Sequence, residues 1–304
     1  MSALVKCLRW HAPIVASAAV VITLVTCLIL AKTRDVYTGG LKWPYFSDMG
    51  RDSPGYYVFC VGLTIAAIML ACTWYFNYHF QAAILRKPME VGRLSRSVLR
   101  WAITCKTLGM ISVVGLPVLA FFSTSSYPSL HNYAAYWFFI LETIAVCINT
   151  FVSYKIYSST RGSRISNEVV SMNAEENEKT ARFESVRRTF FIQLVMFVLF
   201  FIAFLLYIPI GLAVVKPFEH LSVKDCLARN FGEKYCTKDF RLDEIDTKLW
   251  NYENDFAASQ MRAGAQLACI LTLVGYSVSF LSHDYTNVVD TESIENSTAV
   301  LASP

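Results

Sequence analysis

Apolar residues in this chain are gathered into six long runs, at 13–31, 56–76, 102–122, 133–153, 190–215 and 262–282, each bounded by polar or aromatic stretches. A run of about 20 apolar residues is what a helix needs to cross a hydrocarbon core of about 30 Å. Lipid offers no partner to a backbone amide or carbonyl, so each run predicts a helix that satisfies its own backbone. The pattern predicts an all-α polytopic membrane protein, a six-helix transmembrane bundle over 1–284, with no internal repeat. Apolar periodicity stops there, and 285–304 reads as a disordered tail.

Basic residues next to the runs set the orientation. The connection 80–101 carries Arg86, Lys87, Arg93, Arg96 and Arg100 against Glu90. The connection 154–189 carries Lys155, Arg161, Arg164, Lys179, Arg182, Arg187 and Arg188, and 123–132 carries no basic residue. Both termini and these two basic connections are therefore expected in the cytosol. The first, third and fifth connections then face a lumen or the exterior, and Lys42 and Arg51 in the first are too few to reverse this. Lys6 and Arg9 precede a run with no clean small-x-small cleavage site, so the first run reads as a retained span. On this topology the sequon at Asn296 is cytosolic and unmodified.

Composition agrees: 55% of the 304 residues are hydrophobic and 16% charged, against about 25% charged in soluble domains. The net charge of +4 is not a nucleic-acid signal, because its basic residues flank spans. No partner beyond membrane lipids and a candidate cytosolic protein at 80–101 and 154–189 is indicated. Six cysteines stand singly in the runs, whereas Cys226 and Cys236 share the polar loop 216–260, where an oxidising lumen would favour a disulfide. Without a CxxC pair or clustered histidines, neither a metal nor another cofactor is expected. There is also no span with regularly spaced arginines, as a voltage sensor requires.

The first non-cytosolic loop, 42–57, is crowded with residues that shape a backbone. Pro44 and Pro54 fix φ, Gly50 and Gly55 permit positive φ, and Asp48 can cap a turn. Trp43, Tyr45, Phe46, Tyr56 and Tyr57 suit the headgroup zone. Polar residues in the fourth span form a second candidate. At about 100° per residue, His131, Glu142 and Asn149 fall on nearly one angle, with His131 and Glu142 roughly 16 Å apart in height. That stripe is a helix–helix contact or the wall of a polar cavity, and Gln266 in the sixth span is placed to pair with Glu142 or His131. Pro117 and Pro209 are expected to kink the third and fifth helices.

Pro44-Tyr45-Phe46-Ser47-Asp48-Met49-Gly50, followed by Pro54, resembles the Pro-Tyr-Ile-Ser-Asp-Thr-Gly…Pro-Glu motif of the Frag/DRAM/Sfk superfamily. The order of later features is similar too: His131 opening the fourth span, Ala134, Ala135, Phe138 and Phe139 behind it, Ser153-Tyr154-Lys155 at its end, then Phe280 and Asp284. The family's Glu in the sixth span is replaced by Gln266, and the acid after the second Pro is absent. The resemblance implies a six-helix fold with cytosolic termini. It also implies one of three roles: a non-enzymatic lysosomal or endosomal modulator of autophagy, a Golgi factor that remodels GPI-anchor lipid, or a plasma-membrane scaffold for a phosphoinositide kinase. In the second role Asp48 would orient His131 as a general base; no catalytic residue is assigned.

Overall fold

The computed structural model describes residues 3–86, 96–167 and 175–282. The expected tail, Asn296, Asp284 and parts of both basic connections lie outside the described residues. Six helices are long and apolar enough to cross a membrane: Cys7–Thr33, Gly55–Leu85, Arg96–Phe121, Pro128–Arg161, Phe183–Val214 and Glu253–Ser282. Most run past the apolar stretch that announces them. A helix satisfies its own amides in water as well as in lipid, so hydropathy locates the bilayer and not the helix end.

The first span is α1 (Ala3–Thr33) and the second α3 (Gly55–Arg86), with a one-turn helix α2 (Phe46–Met49) between them. The third is broken into α4 (Arg96–Ser112) and α5 (Gly115–Phe121). At the break Val114 and Leu116 donate to Ile111 and Val113, three residues back, at 3.4 and 3.2 Å. Pro117, which has no N–H to offer, lies just beyond. The fourth span is α6 (Pro128–Asn167), and the fifth is α7 (Glu175–Tyr207) followed by α8 (Pro209–Val214), with Pro209 at the break. The sixth is α10 (Phe256–Ser279).

Each span packs on the next in chain order, and α10 returns to α1, so the six close into a ring. Two of these contacts need a missing side chain. A Cβ on Gly109 would stand 2.6 Å from the Trp74 ring, and one on Gly115 2.6 Å from the Ala134 carbonyl oxygen. The interior is solid on one half, where Trp74, Tyr276, Phe200 and Asn149 are fully buried. Phe280 closes over this layer, edge-on to Trp74 and Tyr276 at centroid distances of 5.8 and 5.7 Å.

The other end of the ring carries a small folded unit built from 216–255. Strands β1 (Glu219–Ser222) and β2 (Asp246–Asn251) pair antiparallel, Glu219 opposite Asn251 and His220 opposite Trp250. Between them lies α9 (Val223–Ala228), whose first turn is capped by Ser222 accepting from the Asp225 amide at 3.0 Å. Cys226 and Cys236 are joined in a disulfide across a sequence separation of 10, and both are buried with Tyr37, Leu221 and Leu249. Replacing both cysteines with alanine is expected to cost this unit about 2–4 kcal/mol. Hydrogen exchange should rise across 219–251 while the spans keep their protection; unchanged exchange there would contradict it.

Candidate functional site

The first loop and the ribbon unit meet over the hollow half of the ring, and α2 forms the contact. Trp43 and Tyr57 remain 62% and 64% exposed, whereas Tyr45 and Phe46 are buried. The loop aromatics therefore divide: two face outward as the headgroup zone favours, and two pack inward. Phe46 lies edge-on to Phe59 at 4.9 Å, and Tyr45 edge-on to Tyr252 at 5.3 Å. Gly50 is needed where the loop crosses Phe59, since a Cβ there would be 2.6 Å from the ring. Pro44 is buried beneath the loop, and Pro54, after a cis bond, leads into α3.

Two acids in this loop tie it to the ribbon unit. Asp48 is buried and accepts from the Tyr252 hydroxyl at 3.0 Å, while its Oδ1 has no partner among the described residues. Arg51 donates Nε to Asp52 Oδ1 at 2.8 Å, and Nη2 to the Tyr37 carbonyl at 2.8 Å and the Tyr235 hydroxyl at 3.2 Å. Tyr235 in turn donates to Asp52 Oδ2 at 2.7 Å. One buried guanidinium thus holds three segments of the cap.

Burial pushes the Asp48 carboxyl above its ordinary range, with Asp52 adding to this; Arg51 and the Tyr252 hydrogen bond act against it without reversing it. A raised folded-state value favours the protonated acid. Its contribution to stability is complete below the ordinary value of about 3.9 and is lost as pH rises through the raised one. Wild-type protection of the cap amides should therefore decline relative to Asp48→Asn as pH is raised above about 4. Parallel profiles for the two proteins would refute the assignment.

Beneath the cap is a cavity of about 800 Å³, mouth included, walled by α1, α3, α5, α6 and α10 and roofed by Phe46 and Ser47. His131, Glu142 and Gln266 are in its lining. His131 Nδ1 donates to the Phe122 carbonyl at 2.9 Å, not to Asp48. Glu142 accepts from Trp74 Nε1 at 3.1 Å and Ser112 Oγ at 2.5 Å. Gln266 pairs with neither of them: its Oε1 accepts the Phe46 amide at 3.1 Å and its Nε2 donates to the Tyr207 hydroxyl at 3.0 Å. Phe46 opens α2, so its amide has no acceptor within that helix, and Gln266 on the rim supplies one.

Asn149 shares the stripe but not the cavity. Its Oδ1 accepts from Asn77 at 2.7 Å and Gln81 at 2.9 Å, and its Nδ2 donates to Tyr276 at 2.7 Å. Arg262, one helical turn before Gln266, joins the same rim. It donates to the Tyr207 carbonyl at 3.2 Å and the Tyr136 hydroxyl at 3.1 Å, under the rings of Tyr45, Tyr207 and Phe218. An arginine at the edge of an apolar run is costly enough to require partners, and that was the available signal. Among the described residues no group of three His, Cys, Asp or Glu is placed to hold a metal. Ser112 is fully buried and outside the lining, so its hydroxyl is not presented to a substrate.

A ring of six spanning helices, capped by a first loop of this composition, is an integral membrane protein. Residues 5–224 match the Frag1/DRAM/Sfk1/Cwh43P N-terminal domain, and the chain belongs to that family. It is similar to DNA damage-regulated autophagy modulator protein 2 of Bos taurus, 26% identical over 122 residues, or 40% of this chain and 43% of that one. The protein of the same name from Homo sapiens is 25% identical over 122 residues, with the same coverage. The matched segment thus spans less than half the length of these curated relatives. No solved structure matches.

Proposed function

We propose that this protein is a multi-pass endomembrane regulator of autophagy, resident in lysosomal or endosomal membrane, acting through lipid and protein contacts rather than by catalysis. The observation that carries the reading is the state of the polar groups around the cavity. His131, Glu142 and Gln266 are each held in hydrogen bonds to other parts of the protein, so the site offers shaped apolar walls instead of a nucleophile–base pair. The name of the two relatives supports the autophagy part. With the basic connections 80–101 and 154–189 toward the cytosol, a protein partner would be met there.

The test is the location of a tagged protein at native expression, followed by autophagic flux after deletion. Lysosomal or endosomal signal with reduced flux is the expected result. Golgi signal with altered GPI-anchor acyl composition would replace it with lipid remodelling. Plasma-membrane signal with loss of a recruited phosphoinositide kinase would replace it with the scaffold.

A further inference from the structure

Fifteen of the 21 residues that line the cavity are apolar; the others are Ser17, Ser47, His131, Glu142, Gln266 and Ser277. A water inside needs two to four polar partners. Glu142 and Gln266, whose oxygens and amide are already engaged, have little to offer one. A dry hollow would leave its wall atoms without dispersion partners on one side. The cavity, most of whose lining residues are apolar, therefore suits an apolar occupant.

Its dimensions and surroundings say which. On α3 the lining runs from Phe59 to Leu70, on α6 from His131 to Glu142, and on α10 from Gln266 to Ser277. Each interval is eleven residues, about 16 Å of helix rise, and one leaflet of hydrocarbon is about 15 Å deep. The cavity starts at the cap and stops at the Trp74–Tyr276 layer, so its depth matches a single leaflet. The lining residues that retain partial exposure are Val20 on α1, Leu70 on α3, Ile270, Leu273 and Val274 on α10, and Ser47 at the rim. Apart from Ser47 they sit on α1 and on its two neighbours in the ring, α3 and α10, so the more open side of the cavity is the one around α1. Ser17 Oγ donates to the Val274 carbonyl at 3.5 Å between α1 and α10.

We infer that the cavity holds one acyl chain of a membrane phospholipid, inserted laterally on the side around α1, with its headgroup outside the ring near Ser47. Ser47 has a hydroxyl that meets no partner among the described residues and stands at the rim. This deepens the lipid-contact part of the proposed function and rests on that part alone. It is tested on purified protein, so its failure is separable from a failure of localisation or flux.

The experiment places the full-length protein in phosphatidylcholine nanodiscs doped with a phosphatidylcholine whose acyl chain carries a diazirine, then maps adducts by mass spectrometry after illumination. Adducts are expected within 63–70 and 270–277, and Ala66→Phe and Ala135→Phe, on different helices, should each lower them about tenfold. Adducts on Ile22 and Val61, which are 63% and 61% exposed on the outer face, should persist. Native mass spectrometry of the wild type should retain one phospholipid, which keeps the test decisive if a variant fails to fold. Labelling confined to the outer face with no retained lipid would overturn the inference. A diazirine sterol that labels the cavity and displaces the phospholipid adducts would also overturn it.

Discussion

Replacing Arg51 with alanine is expected to destabilise the cap by about 3–5 kcal/mol, the range for breaking one side of a buried ion pair. The side chains of Arg51 and Asp52 are only 2% and 10% exposed. Without Arg51, the Asp52 side chain is left with Tyr235 as its donor among the described residues, and the Tyr37 carbonyl loses its side-chain partner. Lysine should not rescue, because a single ammonium cannot reproduce a fork that reaches a carboxylate, a carbonyl and a hydroxyl. Arg51→Met with Asp52→Leu should recover much of the loss, since removing both charges leaves neither unpaired. Denaturant unfolding in detergent, monitored by protease cleavage within 216–255, measures all of these. A cost under about 1 kcal/mol for the single substitution, typical of a surface pair, would show that the pair is not the clasp.

Asn149→Leu should cost about 2–4 kcal/mol. It removes the hydrogen bonds to Asn77, Gln81 and Tyr276 at once, and interhelical bonds in membranes average about 0.6 kcal/mol each with a maximum of about 1.7. Asn149 is fully buried, and Asn77 Oδ1 and Gln81 Oε1 already lack partners among the described residues. Both side chains would then lose the acceptor they share, and Tyr276 would lose a donor. Ile144→Ala, at a position 42% exposed on the outside of the same helix, is the control and should move the melting temperature little. Equal melting of the two variants would mean that the network is not structural.

These two sites differ in how far the chain announces them. Asn149 is reached from the sequence by angle alone, since helical spacing puts it with His131 and Glu142 on the face that avoids lipid. Its partners Asn77, Gln81 and Tyr276 come from the second and sixth spans, and nothing in their spacing identifies them. In the sequence Arg51 reads only as one of two basic residues in the first loop. Its partner Asp52 is adjacent, but burial of the pair depends on Tyr235 arriving from 184 positions away. The two strands are four and six residues long, inside a stretch dense in charge, too short for alternation to stand out. Gln266 was expected to face His131 or Glu142 and instead holds the Phe46 amide, a group that becomes an unmet donor only once α2 has formed.

Six membrane-spanning helices, and a first loop of family type, follow from the sequence by itself. The transfer of a helix into lipid is a local sum over about 20 residues, and proline, glycine and aromatic residues shape a short loop wherever it lies. The closed ring, the inward turn of Tyr45 and Phe46, the Arg51 clasp and the leaflet-deep cavity were decided only by the tertiary structure. Each depends on which helix faces meet and at what distance, and a hollow bounded by five elements is a property of no one of them.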